Sequence, residues 1–106
     1  MNSWLDSVRD MELEYHPSVQ KDIRDALAYF DRFSDSVGDK VFKDFRGRVE
    51  DVRLSPHRFP PFEDIFRKAP LKQYPFDVVY RIVGNRVRIL VFRHQERHPD
   101  YGLRRR

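Results

Sequence analysis

The sequence predicts an α+β domain in which an N-terminal strand is followed by a two-helix antiparallel hairpin and a three-stranded antiparallel meander, with both helices on one face of the sheet. Three patterns predict it: apolar residues alternate before Pro17, recur at helical spacing between residues 18 and 52, and form strand-like runs on both sides of Gly84-Asn85. At 106 residues and 40% hydrophobic content, the chain suits one domain with a modest core.

The N-terminal elements are a short strand and a helix. Residues 11–16 alternate Met, Leu and Tyr with polar residues, as in a half-buried strand. Pro17 and Ser18 open the first helix, since proline fits the first turn, where its missing N–H has no partner. The apolar stripe of this helix consists of Val19, Ile23, Ala26, Leu27, Phe30 and Phe33.

A second helix follows after a short break. Ser36 and Asp39 have the spacing of a capping box, which predicts the helix start. The few residues between the helices favour an antiparallel hairpin, and Pro56, Pro60 and Pro61 end the helical region. The second apolar stripe consists of Val41, Phe42, Phe45, Val49 and Val52.

Three strands are predicted at 65–73, 76–83 and 86–94, the first interrupted or edged by Pro70. Gly84-Asn85 joins the last two in a tight turn that demands positive φ angles. Alternation places Phe76, Val78, Tyr80 and Ile82 opposite Asp77, Val79 and Arg81, and it places Val87, Ile89 and Val91 opposite Arg88, Leu90, Phe92 and His94. We expect the basic groups on the sheet face away from the helices.

The chain is expected to comprise an N-terminal tail at 1–10, a domain at 11–101 and a basic C-terminal tail at 102–106. It has no cysteine, no continuous apolar run and no signal-peptide pattern. We therefore expect a cytoplasmic protein that has no contact with membranes.

Charge is distributed unevenly along the chain. Residues 67–106 contain eleven Lys or Arg and three acids, a net +8, whereas residues 1–66 contain ten and fourteen, a net −4; together they give the overall +4. Such a local field attracts a polyanion or an acidic protein.

Several basic residues could line one concave surface and hold phosphates, although a solvated surface is the simpler interpretation of each one alone. The set comprises Arg67, Lys68, Lys72, Arg81, Arg93, His94 and Arg97. His94 and His98 are four residues apart, but they leave a strand and lack a Glu directly after the first His, so we expect no metal. His94 is either a proton-exchanging group or a half-buried histidine satisfied by backbone. Neither a hydrolase triad nor a nucleotide-binding glycine loop is present, and we expect no cofactor.

Three segments together resemble the RelE/ParE toxin superfamily: His16-Pro17 leading into a helix, residues 74–82 (YPFDVVYRI) with the following turn and strand to His94, and residues 97–101 (RHPDY). The resemblance covers 11–101. It implies the toxin of a type II toxin–antitoxin module, of the kind called plasmid stabilisation proteins, with the predicted fold.

RelE-like members cut mRNA, usually in the ribosome, by driving the ribose 2′-hydroxyl onto the adjacent phosphate without a metal. This resemblance implies His94 or Tyr101 for the proton transfers, and it implies cationic groups for the charged intermediate, namely Arg67, Lys68, Lys72, Arg81 and Arg97. Arg88 and Arg93 are further candidates for binding nucleic acid. Asp77 stands where nuclease members commonly have Arg, and it could act as a base or disable the site.

An mRNA endoribonuclease is the first functional hypothesis. The alternatives are a ParE-like inhibitor of DNA gyrase and an inactive, toxin-like binding module. Each implies an acidic antitoxin as partner, with oligomers expected only in the toxin–antitoxin complex. We also expect antitoxin binding to order or displace Tyr101–Arg106.

Overall fold

The computed structural model describes residues 11–106; the predicted tail at 1–10 lies outside them. The strands are β1 (Glu12–Tyr15), β2 (Pro61–Phe62), β3 (Phe66–Pro70), β4 (Phe76–Val83) and β5 (Arg86–His94), and the helices are α1 (Ser18–Asp31) and α2 (Asp35–Leu54). The strands form one sheet in the order β1-β5-β4-β3-β2, in which β1 runs parallel to β5 and all other neighbours are antiparallel. The predicted α+β class is therefore confirmed.

Two differences concern the strands around the prolines. The two-residue strand β2 was not predicted; it pairs with the start of β3. The strand expected at 65–73 ends at Pro70, because the backbone N–H groups of Lys72 and Gln73 donate to the carboxylate of Asp44 on α2 instead of a neighbouring strand. This contact ties the β3–β4 connection to the helical layer.

The predicted capping box is wrong. Helix α2 already begins at Asp35, and its N-cap is Ser34, whose backbone is extended. The Oγ atoms of Ser34 and Ser36 lie 2.8 Å apart and share a hydrogen bond, and no side chain caps the helix.

The helices cover one face of the sheet, which we call the core face. Its main cluster combines the predicted helix positions Val19, Ala26, Val41, Phe45, Val49 and Val52 with strand residues Phe76, Val78, Tyr80, Val87, Ile89 and Phe92. Two predicted core residues lie outside it: Phe33 follows the end of α1 and is 72% exposed, and Phe42 lies at the rim of α2 and is 38% exposed.

A β-bulge on β5 changes the predicted alternation. Val79 pairs with Val91 and Tyr80 pairs with Ile89, so Leu90 has no partner on β4. Val91 consequently belongs to the cluster on the other face, and Phe92 belongs to the core face. The prediction that Val91 shares a face with Val87 and Ile89 is wrong for this reason.

The other face of the sheet, which we call the outer face, carries a smaller apolar cluster of Phe66, Val79, Leu90 and Val91. Tyr101 and Leu103 cover it, so the expected basic tail packs against the sheet. In the β4–β5 turn only Gly84 has a positive φ, 60°, as in a type II′ turn, whereas a positive φ was also predicted for Asn85. Among residues 11–106 no helix is long and apolar enough to cross a membrane.

Candidate functional site

A cleft of about 430 Å³ lies between α1 and the C-terminal end of β5. We call it the α1–β5 cleft. One wall is helical and includes Tyr29 and Arg32, and the other includes His94, Arg97 and Tyr101. His94 reaches the cleft because the bulge places its side chain, like that of Phe92, on the core face of the sheet. The structure thus brings together three of the predicted catalytic residues, and the predicted nucleic-acid-binding residue Arg93 also lines the cleft.

His94 is half-buried, and its ring meets the Phe76 ring edge-on at 5.2 Å between centroids. Its Nδ1 accepts the backbone N–H of Glu96 at 3.0 Å. This hydrogen bond requires an unprotonated Nδ1, so the neutral ring carries its proton on Nε2. In that form the Nε2 of His94 can donate a proton but has no lone pair with which to accept one.

Tyr101 is held by two neighbours. Its hydroxyl donates to Asp22 Oδ1 at 3.2 Å, and the Arg97 guanidinium lies 4.9 Å from the ring centroid. The Tyr101 hydroxyl proton is therefore already directed at a carboxylate inside the molecule. Arg97 remains at the cleft with its charge over an aromatic face.

Asp22, which was not among the predicted site residues, organises this end of the molecule. Its side chain is 2% exposed and accepts the Phe92 N–H at 3.1 Å and Arg105 Nη1 at 2.5 Å, besides the Tyr101 hydroxyl. Arg105 Nη1 also donates to the Leu90 carbonyl at 2.9 Å. We call these contacts the Asp22 latch, because they fasten the C-terminal segment to both α1 and β5. The hydrogen bond to Asp22 raises the pKa of Arg105.

A second device holds the same segment close to the sheet. Gly102 has φ +81°, and a Cβ built on it would lie 2.9 Å from Val91 Cγ1 and closer still to Cγ2. Glycine therefore allows both the left-handed backbone and the close approach to β5.

Two other catalytic candidates lie on the outer face. Asp77 is 6% exposed and accepts Gln95 Nε2 at 3.3 Å. Arg81, four residues further along β4, pairs with Arg88 on β5. The sheet thus separates Asp77 and Arg81 from His94.

The remaining predicted nucleic-acid contacts have mainly intramolecular partners. Arg93 is 6% exposed and donates Nη1 to the carbonyls of Pro99 and Tyr101, and burial lowers its pKa. Arg67 donates to the Phe59 carbonyl at 2.7 Å, and Lys72 lies 3.4 Å from Asp51 Oδ2. Lys68 Nζ lies 5.0 Å from the Phe62 ring centroid. Their functional roles stay predictions.

His98 and His94 do not converge on a metal-binding arrangement. His98 Nδ1 accepts the Asp100 N–H at 3.1 Å on an exposed turn. In residues 11–106, no three His, Cys, Asp or Glu side chains are grouped so that they could hold a metal ion.

Comparison with known proteins gives one family and one fold. The model of a family described as "ParE toxin of type II toxin-antitoxin system, parDE" matches residues 13–99. A solved structure, "Chromosomal ParDE TA system from P. aeruginosa", is similar with a TM-score of 0.72 and 17% identity, covering 79% of this chain and 95% of that chain. At that identity the likeness concerns the fold. No functionally curated protein matches the chain in sequence.

Proposed function

The chain belongs to the ParE toxin family of type II toxin–antitoxin systems, whose family model spans residues 13–99, and we propose that it acts by poisoning DNA gyrase and not by cutting mRNA. Its role as a toxin implies an antitoxin partner. The gyrase target was the alternative to mRNA cleavage in the sequence analysis, and the ParE family favours that alternative.

The main support for this proposal is that the candidate catalytic residues lie on two different faces of the sheet. Cleavage through a 2′-hydroxyl needs a base, an acid and cations around one phosphate, positioned to within a fraction of an ångström. His94 and Arg97 line the α1–β5 cleft, whereas Arg81 and Asp77 are on the outer face. One phosphate cannot contact both sets through a folded sheet.

The chemistry within the cleft points the same way. Neutral His94 has no free lone pair, since Nδ1 accepts the Glu96 N–H, and the Tyr101 hydroxyl is directed at Asp22. A base for the 2′-hydroxyl is therefore missing from this wall of the cleft as it stands.

The end of α1 beside the cleft has features of a protein-binding surface. Tyr29 is 55% exposed and Phe33 72% exposed, and their rings are 5.6 Å apart at the end of α1. Arg32 and Arg97 lie nearby at the cleft. Exposed aromatic rings beside arginines are enriched where proteins bind each other, and such binding needs no proton transfer.

The test is a cleavage assay with purified gyrase, ATP and supercoiled plasmid. We expect linear DNA to accumulate when the toxin is added, and His94→Gln to leave this effect intact because no proton transfer by His94 is needed. A matched assay with ribosomes and mRNA should leave the transcript whole. Plasmid that stays uncut at saturating toxin would refute the gyrase target.

Cleavage of mRNA remains the second candidate, because His94, Arg97 and Tyr101 do share one cleft. It predicts cut transcripts in the ribosome assay and their loss in His94→Gln and Arg97→Ala. The same two assays therefore distinguish between gyrase and mRNA as the target.

A further inference from the structure

A row of arginines crosses the outer face of the sheet at right angles to the strands. Arg81 on β4 is the register partner of Arg88 on β5, and Arg88 is the partner of Glu14 on β1. On the other side, Arg67 pairs with Tyr80, so Phe66 falls opposite Arg81 one step further along the register. The Arg106 guanidinium lies 5.4 Å from the Phe66 ring centroid and brings a third cation to the row.

The central pair of this row is left unsatisfied. The Nε atoms of both Arg81 and Arg88 are buried and have no hydrogen-bond partner among the described residues. Neighbouring strands lie about 4.8 Å apart, and like charges directly opposite each other on a sheet are destabilising. A buried unpaired donor adds a further cost, so the Arg81–Arg88 pair is unfavourable unless an anion offsets its charge.

The nearby acids do not neutralise the row. Glu14 contacts Arg86 at 2.6 Å and Arg88 at 3.3 Å, so its two carboxylate oxygens are divided between two arginines. Within residues 11–106 no carboxylate lies within salt-bridge distance of Arg81. Arg88 keeps a third of its side chain exposed, and Arg106 is exposed. The row is therefore accessible and carries surplus positive charge.

We propose that Arg81, Arg88 and Arg106 form a binding site for phosphates of a nucleic-acid backbone. Guanidinium groups present paired N–H donors that match phosphate oxygens, and a phosphate bridging Arg81 and Arg88 would offset their like charges. A row of three such groups suits a ligand with repeated anionic groups. The Phe66 ring lies beside the Arg106 guanidinium and favours its position at the row.

This site is separate from the α1–β5 cleft, and it goes beyond the proposed gyrase target. It gives the toxin its own contact with nucleic acid. The binding can be measured without gyrase, so its failure would leave the gyrase proposal standing, and failure of the gyrase assay would leave this site untouched.

The experiment is fluorescence anisotropy with a labelled DNA duplex and a labelled single-stranded RNA of equal length, over a series of salt concentrations. We expect Arg81→Gln and Arg88→Gln each to weaken binding and to reduce the slope of log K against log salt by about 0.9 for the duplex and about 0.7 for the single strand. Arg46→Gln is the matched control, because it removes the same charge from an exposed position on α2, away from the outer face. It should leave the slope unchanged.

A second variant changes binding in the opposite direction. Glu14→Gln removes the carboxylate that competes for Arg88 and should tighten binding to both nucleic acids. Arg81→Gln also removes a like-charge contact, so it should fold at least as stably as the parent chain, which thermal unfolding would check.

The outcomes separate the ligand classes. The nucleic acid that binds more tightly, duplex or single strand, is the preferred ligand. The site is supported if Arg81→Gln weakens that binding. Equal effects of Arg81→Gln and Arg46→Gln would overturn the proposal. So would binding of poly-glutamate, but of neither nucleic acid, in a manner that depends on Arg81, since this would make the row a site for an acidic protein.

Discussion

The two faces of the sheet are held together in different ways. The core face is covered by two helices and packed almost entirely with apolar side chains, with Phe92 between Phe45 and Phe76 at centroid distances of 4.8 and 4.9 Å. The outer face has a four-residue apolar cluster covered by a few C-terminal residues. There, polar contacts such as the Asp22 latch and the Arg93 hydrogen bonds hold the covering segment in place.

Because of this difference, the two faces have different roles in stability and in binding. Apolar burial on the core face is non-directional and scales with area, so it supplies most of the stability. The outer face depends on directional contacts that a ligand or partner can exchange for others. The same strands can therefore keep the fold on one side and present charged groups on the other.

The largest expected effect comes from the core face. Phe92→Ala should lower the free energy of unfolding by about 4 kcal/mol, because it removes a buried ring and leaves a cavity between two others. Phe66→Ala removes the same side chain from the outer face, and it should cost less because the thin C-terminal cover can settle into the space. Urea denaturation measures both, and a larger loss for Phe66→Ala would break the comparison.

The next effect tests the latch. Asp22→Asn should lower the free energy of unfolding by about 3 kcal/mol, because it leaves the largely buried Arg105 without a counter-charge. Hydrogen exchange should become faster at Tyr101 and Leu103 while the helix-covered strands stay protected. Asp25→Asn is the matched control on the same helix, in an exposed ion pair with Lys21, and it should change neither measurement. Uniformly faster exchange in Asp22→Asn would mean that the latch supports the whole fold.

The smallest effect concerns pH and the junction between β1 and α1. His16 Nδ1 accepts the Ser18 N–H at 3.1 Å in the first turn of the helix, and burial, with Arg105 and Arg88, lowers the pKa of His16. The unfolded chain therefore binds a proton on His16 more readily than the folded protein does. The stability that neutral His16 contributes is present above about pH 6.5 and is lost as the pH falls through the lowered pKa of the folded state. His16→Asn keeps a hydrogen-bond acceptor but does not titrate. It should therefore make the melting temperature less dependent on pH between the unfolded and folded pKa values of His16. An unchanged pH profile would assign the effect to other groups.

The sequence predicted the parts of the fold that local patterns determine. The limits of β4 and β5 were correct because alternating runs meet at a glycine turn, and both helices showed clear apolar stripes. Strand β2 has only two residues, and the bulge at Leu90 carries no glycine or proline that would signal it. Both depend on pairing across the sheet, which a linear pattern does not contain.

The candidate site was predictable to a similar extent. His94, Arg97 and Tyr101 meet in one cleft partly because they are close in the chain, whereas Arg81 and Asp77 face away because of strand alternation. The latch had a sequence signal that was overlooked: Asp22 lies on the apolar stripe of α1 between Val19 and Ala26. A carboxylate at a buried helix position needs a partner, and the partner was a C-terminal arginine assigned to a tail.

The bulge at Leu90 decides to which face of the sheet each later side chain of β5 points. With one residue fewer at this point, the side chains of Phe92 and His94 would exchange sides with that of Arg93, and the imidazole would leave the groove beside α1 for the arginine-bearing side. The one residue without a pairing partner thus decides which side chains in the last third of this strand contact the helices and which lie on the opposite side of the toxin.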